Sequence, residues 1–282
     1  MKKRVTLLLA LMSASAMLAA GCGGGSESTG AEETGGDTSK EETASFEEKQ
    51  EGDTFTVGFD QNFPPMGFVG DDGEYTGFDL DLAKEVCERQ GWEFVPQPIA
   101  WETKDATLNS GEIDCIWNGF TMNGREDEYT WSDPYLDNQQ VFVVRSDSGI
   151  ESEEDLAGKI VDVQTESSAQ AALDDNPELA DTFGTLQVIP DYDTGFMELE
   201  SGAVDAVAMD IVVASYQIES RGADFTILDE SIASEEYGIG FAKGNEALRD
   251  TVQATLEEMA ADGTMAEISE KWFGEDITTI GK

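Results

Sequence analysis

Leu108-Asn-Ser-Gly-Glu-Ile-Asp-Cys-Ile-Trp-Asn-Gly119 has an echo further along the chain, Leu199-Glu-Ser-Gly-Ala-Val-Asp-Ala-Val-Ala-Met-Asp210. Both fit L-x-S-G-x-[IV]-D-[CA]-[IV]. Each copy reads as the end of a helix, a glycine cap (Gly111 or Gly202), a buried strand and a functional tip. Two copies of one helix–strand unit predict two similar α/β lobes. Open α/β sheets hold their ligands beyond the carboxyl ends of the strands. Gly119 onward and Asp210 are therefore the positions of interest, while Asp114 and Asp205 inside the repeat are expected to be solvated or to cap.

The first copy predicts a strand over Ile113–Trp117 ended by Asn118-Gly119. Beyond it a lone cation, Arg125, sits in an acid-rich loop, and Trp131-Ser-Asp-Pro-Tyr135 forms an aromatic turn. Upstream, Thr54–Phe59 reads as a strand ending at Asp60, and Pro64-Pro65 stiffens the loop that carries Phe63. Asp72-Gly73 between Phe68 and Tyr75 marks a hairpin. An amphipathic helix over Phe78–Cys87 with acids in its first turn follows, then a strand over Trp92–Ile99 and a loop with Trp101. Lys104–Leu108 is a short helix. This β-α-β-α-β order gives a lobe with a mostly parallel sheet.

Val141–Val144 is a strand able to cross to a second lobe. There, Ser152 with Asp155 opens a helix ended by Gly158, and Ile160–Val163 is a strand leading to Glu166-Ser167-Ser168. A helix over Ala169–Leu173, a strand over Thr185–Pro190, a helix over Thr194–Leu199 and the strand of the second repeat complete that lobe. Tyr237–Ala242 is the return crossing, and helices over Ala247–Ala261 and Met265–Trp272 finish the chain. Trp117, Trp131 and Trp272 are assigned to packing.

Composition narrows the chemistry. Sixteen Lys+Arg stand against 60 Asp+Glu, a net charge of −44, which argues against nucleic acid and anionic membrane surfaces as partners. There is no histidine in the chain, which removes Ser-His and Cys-His catalysis and histidine zinc sites. No metal or cofactor motif is present. Met1-Lys-Lys-Arg4 followed by an apolar, small-residue run to Ala19-Ala20-Gly21-Cys22 reads as a signal peptide over 1–21. Residues 22–52, rich in Gly, Ser, Thr and Glu, read as a flexible tether. Cys87 and Cys115 are left either to pair or to stay as buried thiols.

The leader resembles a bacterial lipoprotein signal, which implies lipidation of Cys22 and attachment, not spanning, at the outer face of the cell membrane. The motifs V-G-F-D-Q-N-F-P-P-M-G-F, G-F-D-L-D-L-A-K-E-V, N-G-F-T-M-x-x-R, W-S-D-P-Y, Y-G-I-G-F and D-G-T-M-A-E-I-S-E-K-W-F-G, with the two repeats, resemble the extracellular solute-binding proteins of polar amino acid ABC transporters. The resemblance runs from Thr54 to Gly274. It implies an α/β, two-lobed, periplasmic-binding-protein-like fold of type II. Each lobe would be a mixed, mostly parallel sheet with flanking helices, joined by two hinge strands. Residues 53–140 and 235–282 would form the first lobe and 141–234 the second. The implied partners are a free amino acid and a membrane permease, and the protein is expected to act as a monomer without cofactor.

Residue by residue, the resemblance implies that Arg125 forks onto the ligand's α-carboxylate, helped by Thr121 and by Ser168 at a helix start. The Gly119 carbonyl and Asp210 would take the α-ammonium. Phe63 and Trp101 would sandwich the side chain, with Asp60 at its end. Two departures stand out. The Thr121–Arg125 link is one residue shorter than the family's usual spacing, and Glu166 stands where many members have glycine, which would bring an acid to the pocket mouth and disfavour acidic ligands. The same fold also hosts dehydratases of arogenate-like acids, for which Glu166 is the only proton donor in view, and sensor domains. The reading adopted is a non-enzymatic binding protein.

Overall fold

A computed structural model of the chain describes residues 46–282. The leader, Cys22 and the tether up to residue 45 lie outside the described residues. The chain begins with β1 (Thr54–Phe59) and a small antiparallel sheet of β2 (Asn62–Phe63), β3 (Gly67–Val69) and β4 (Tyr75–Thr76). The expected turn lies between the last two, with Gly73 at φ 83°. There follow α1 (Phe78–Gln90), β5 (Glu93–Pro98), α2 (Lys104–Asn109), β6 (Cys115–Thr121), β7 (Thr130–Trp131) and β8 (Leu136–Arg145). Then come β9 (Ile160–Gln164), α3 (Ser168–Asp174), α4 (Pro177–Ala180), β10 (Thr185–Ile189), α5 (Tyr192–Ser201) and β11 (Ala206–Asp210). The last elements are α6 (Ile211–Arg221), β12 (Phe225–Phe241), α7 (Glu246–Asp262) and α8 (Thr264–Phe273).

One sheet runs in the order β10-β9-β11-β8-β12-β6-β1-β5, with β7 also pairing β12. At one end β5, β1 and β6 are parallel, and at the other β10, β9 and β11 are parallel. Between them β8 and β12 lie antiparallel to each other, and each is antiparallel to the parallel unit at its side. This is the two-lobed α/β architecture read from the repeats, with β8 and β12 as the crossing strands.

The two repeats fold alike down to single hydrogen bonds. Gly111 and Gly202 adopt φ 75° and 76°, the left-handed conformation that closes a helix. Asp114 and Asp205, expected to be solvated or to cap, each bind the strand beside them. The Thr56 N–H donates to Asp114 Oδ2 (2.7 Å), while the Asp114 N–H donates to the Thr56 carbonyl (2.8 Å). The Ile160 N–H donates to Asp205 Oδ2 (2.9 Å), while the Asp205 N–H donates to the Ile160 carbonyl (2.8 Å). Each aspartate thereby fixes the register at which a parallel strand enters its sheet.

Several boundaries differ from the sequence reading; the first crossing strand, expected over Val141–Val144, runs from Leu136 to Arg145. The strand expected to stop at Asn118-Gly119 continues to Thr121, because β12 pairs with it on both sides of a register shift between Gly238 and Gly240. The return crossing, expected over Tyr237–Ala242, is a single strand of 17 residues. The apolar run after Asp210, left unassigned, is α6, closed by Gly222 at φ 57°. The helix expected before Gly158 is only a 3-10 turn over Glu153–Leu156. Its Ser152/Asp155 capping box is formed, but Ala157 at ψ 122° leaves the helical region. Trp117 and Trp131 are buried as assigned, and Trp272, half-buried, packs edge-on against Phe68. Cys87 and Cys115 are buried free thiols.

Removing either register carboxylate leaves a strand N–H without its partner. Asp114→Ala and Asp205→Ala should each lower unfolding free energy by about 1–2 kcal/mol, measured as a reduced urea midpoint with an unchanged slope.

Candidate functional site

β6 delivers its residues to the cleft because it is buried along its whole length and ends where β12 turns across it. Gly119 lies at that irregularity with φ 54°. A Cβ there would sit 2.9 Å from the Tyr237 ring and 3.0 Å from the Phe63 ring, so only glycine fits. Asp79 holds the Gly119 backbone in place. An acid of the first turn of α1, it is fully buried and accepts from the Gly119 N–H (2.6 Å) and the Tyr135 hydroxyl (2.9 Å). Burial pushes its pKa up to about 7 despite those two donors.

The eight residues singled out for ligand contact line one cavity: Asp60, Phe63, Trp101, Gly119, Thr121, Arg125, Ser168 and Asp210. The short Met122-Asn123-Gly124 link still brings Arg125 to the wall through a turn in which the Arg125 N–H donates to the Met122 carbonyl (2.9 Å). Its guanidinium lies over the Phe120 ring (5.3 Å) and donates to the carbonyls of Thr121 (3.1 Å) and Glu166 (3.2 Å). Backbone carbonyls orient it without cancelling its charge, which stays available to an anion.

Asp60, at the end of β1, is 6 % exposed, and its pKa is pushed up to about 6 by burial, against donation from the Asn62 N–H and Gln164. Gln164 Nε2 donates to Asp60 Oδ2 (2.9 Å) across the cleft. Phe63 faces Tyr192 from the opposite lobe at 5.9 Å, and Trp101 packs edge-on against Phe120. Ser168 begins α3 as expected, although the capping hydroxyl is that of Ser167, which accepts from the Gln170 N–H.

Glu166 differs from its expected role. It adopts φ 54°, the conformation that favours glycine, in agreement with its standing at a glycine position. Its carboxylate, however, is not in the wall of the central cavity. It pairs with Lys104 Nζ (3.0 Å) across the rim, so its charge is balanced there and the expected bias against acidic ligands does not follow from it. Lys104, 3 % exposed, is itself fixed over the Trp101 ring.

The sequence reading missed the polar layer behind the cavity wall, the floor on which Asp210 and Thr121 rest. Asn138 and Gln140 on β8 and Glu235 on β12 are buried where the two strands pair, Asn138 opposite Glu235. Asn138 Nδ2 donates to Asp210 Oδ1 (2.8 Å) and Glu235 Oε1 (2.6 Å), and Gln140 Nε2 does the same at 2.8 and 2.6 Å. Thr121 Oγ1 reaches Glu235 (2.9 Å) and Ser168 Oγ (3.1 Å), and the Tyr237 hydroxyl donates to Asp210 (2.6 Å). Burial and the neighbouring Glu235 push Asp210 up to about 7. Strand alternation was the available signal: Glu235 lies two residues from buried Tyr237, and Leu136, Asn138, Gln140 and Phe142 share one face.

The cavity thus has a guanidinium, Arg125, with no ion pair among the described residues, and two buried carboxylates, Asp60 and Asp210, the two poles that an amino acid zwitterion presents. Residues 55–275 match the family described as bacterial extracellular solute-binding proteins, family 3. The chain belongs to this family. Among its members, the L-cystine-binding protein TcyJ of Escherichia coli is 32 % identical over 228 residues, covering 80 % of this chain and 84 % of TcyJ. A substrate-binding protein of a Streptococcus pneumoniae ABC uptake transporter, solved with bound histidine, superposes with a TM-score of 0.78 at 35 % identity, covering 80 % of this chain and 94 % of that one. An ancestral arginine-binding protein bound to arginine superposes with a TM-score of 0.73 at 36 % identity, covering 80 % and 100 %. The family is one of solute-binding proteins rather than enzymes. Among the described residues no helix is long and apolar enough to cross a membrane.

The raised acids have a consequence for stability. Between the ordinary aspartate value of 3.8 and about 7, folded Asp79 keeps a proton that the unfolded chain has lost. Bound protons are then more numerous in the folded state, so stability falls as pH rises through that window. Calorimetric melting of the wild type should fall between about pH 4 and pH 7, and Asp79→Asn should flatten that slope.

Proposed function

We propose that the protein is a lipid-anchored receptor at the outer cell surface that captures a free polar amino acid between two lobes and hands it to an ABC-transporter permease. Residues 53–140 with 235–282 form one jaw and 141–234 the other, tethered through residues 22–52 to a lipidated Cys22, and the receptor works as a monomer. The observation that carries this reading is the placement of Arg125 and Asp210 in one cavity. Arg125 receives the α-carboxylate with Thr121 and Ser168. Asp210 and the Gly119 carbonyl receive the α-ammonium. Burying both ligand charges is tolerable only because each meets a fixed opposite partner.

The ligand's side chain lies between Phe63 and Trp101 and ends at Asp60 and Gln164. A carboxylate there would meet a buried acid, so a side chain ending in nitrogen donors or a cation is preferred. The histidine, arginine and cystine named for the relatives all carry such groups. The family's solute-binding character favours capture over the dehydratase reading.

Arg125→Ala should weaken binding on the order of 100-fold, about 3 kcal/mol, with the melting temperature of the free protein unchanged. Titration calorimetry giving wild-type affinity for this variant would remove the assignment. In a thermal-shift panel, arginine, histidine, cystine and glutamine are expected to outperform glutamate and aspartate. A ligand at 100 times its Kd adds about 2.7 kcal/mol, so the ranking is readable directly.

A further inference from the structure

Oδ1 of Asp210 and Oε1 of Glu235 accept hydrogen bonds from the same two nitrogens, Asn138 Nδ2 and Gln140 Nε2, at 2.6–2.8 Å. Two oxygens that share two donors are close neighbours. Both belong to carboxyl groups that are nearly closed to water, Asp210 4 % and Glu235 6 % exposed. Two like charges held this way in a dry site repel strongly, which favours a cation between them or, up to about neutral pH, a proton on one. Among the described residues neither acid has a salt-bridged cation.

The other titratable and charged groups around the pair do not supply that cation. Tyr237 donates its hydroxyl to Asp210 and, like Tyr192 on α5, has its phenol pushed well above the ordinary range by burial. Asp60 adds a further negative group in the cavity, and Arg125, which with Glu128 lines a neighbouring groove beside Glu235, forms no ion pair with either acid and donates to backbone carbonyls. The remaining partners, Thr121, Ser168, Asn138 and Gln140, are neutral.

We propose that Asp210 and Glu235 form a two-carboxyl site that holds one shared proton in the free protein and exchanges it for the ammonium group of the ligand. This rests on reading the cavity as an amino acid site. In the free state one carboxyl and one carboxylate share the proton. When the ligand enters, its ammonium keeps all its protons, both acids ionise, and the displaced proton leaves to solvent, so charge is conserved. Glu235 acts as a positioning residue through Asp210, Thr121 and Ser168. It makes capture tighten as pH rises through neutrality, consistent with burial raising Asp210 to about 7. Above that range the pair is already ionised and no proton is released.

Two measurements decide the matter. In ligand-free protein at about pH 6, the protonated-carboxyl infrared absorption should contain, beside that of Asp79 and the other raised acids, a component that vanishes as pH passes about 7, and the difference spectra of wild type minus Glu235→Gln and of wild type minus Asp210→Asn should each show that component lost. Titration of L-arginine in buffers of different ionisation enthalpy at about pH 6 should release close to one proton per ligand. The release should fade to none above about pH 8, and affinity should change about tenfold per pH unit below the midpoint. In Glu235→Gln the release should vanish and the pH profile flatten. A wild-type component that is absent or unaltered in Glu235→Gln, or arginine binding with no proton release at any pH, overturns the proposal. Failure of L-arginine to bind at all would count against the proposed ligand class, and the infrared titration would still decide the shared proton.

Discussion

Everything in this molecule turns on the pairing of β8 with β12, where the connection between lobes also supports, from behind, the cavity residues Asp210, Thr121 and Ser168. Asn138, Gln140 and Glu235 lie on those two strands and close over Asp210 from the second repeat. A buried, partly charged network costs stability unless every member is satisfied. Placing that network at the crossing lets the charge of a ligand act on the element about which the lobes are connected.

The contacts that span the cleft are mostly polar, and include Gln164 with Asp60, Lys104 with Glu166, Arg125 with the Glu166 carbonyl and Thr121 with Ser168, beside the ring pairs Phe63–Tyr192 and Phe68–Tyr216. Each polar contact exchanges for water when the lobes part, and its net worth is about 1 kcal/mol. Such contacts do not by themselves hold a closed state firmly. A ligand touching both lobes adds the differential interaction that shifts the population. Glu166 is instructive, because its backbone takes a conformation that glycine adopts more easily. Its side chain returns a cross-rim ion pair with a nearly buried lysine, a link that glycine at this position would lack.

Much of the fold was legible in the sequence because its two lobes repeat one unit, and repetition survives where propensity is ambiguous. The wall residues were legible for a related reason. They occupy strand ends and loops, and they fall on motifs that the resemblance to the family covers. The floor was not legible. Glu235 stands beside Glu236, and Asn138 beside Asp137 and Gln139, so each resembles a solvated run until the alternation of the strand is imposed. Asp79 looked like an ordinary first-turn acid because only the tertiary approach of Gly119 and Tyr135 takes it out of water. Helix α6 was hidden for another reason: its apolar residues read as a run without period, following a strand that was already buried.

Closure on an amino acid is the central claim, and small-angle X-ray scattering tests it most directly. The radius of gyration of the wild-type protein should fall when an amino acid that raises its melting temperature is added to saturation, with no such change in Arg125→Ala. An unchanged radius of gyration in wild-type protein that calorimetry shows to be fully occupied would contradict the account.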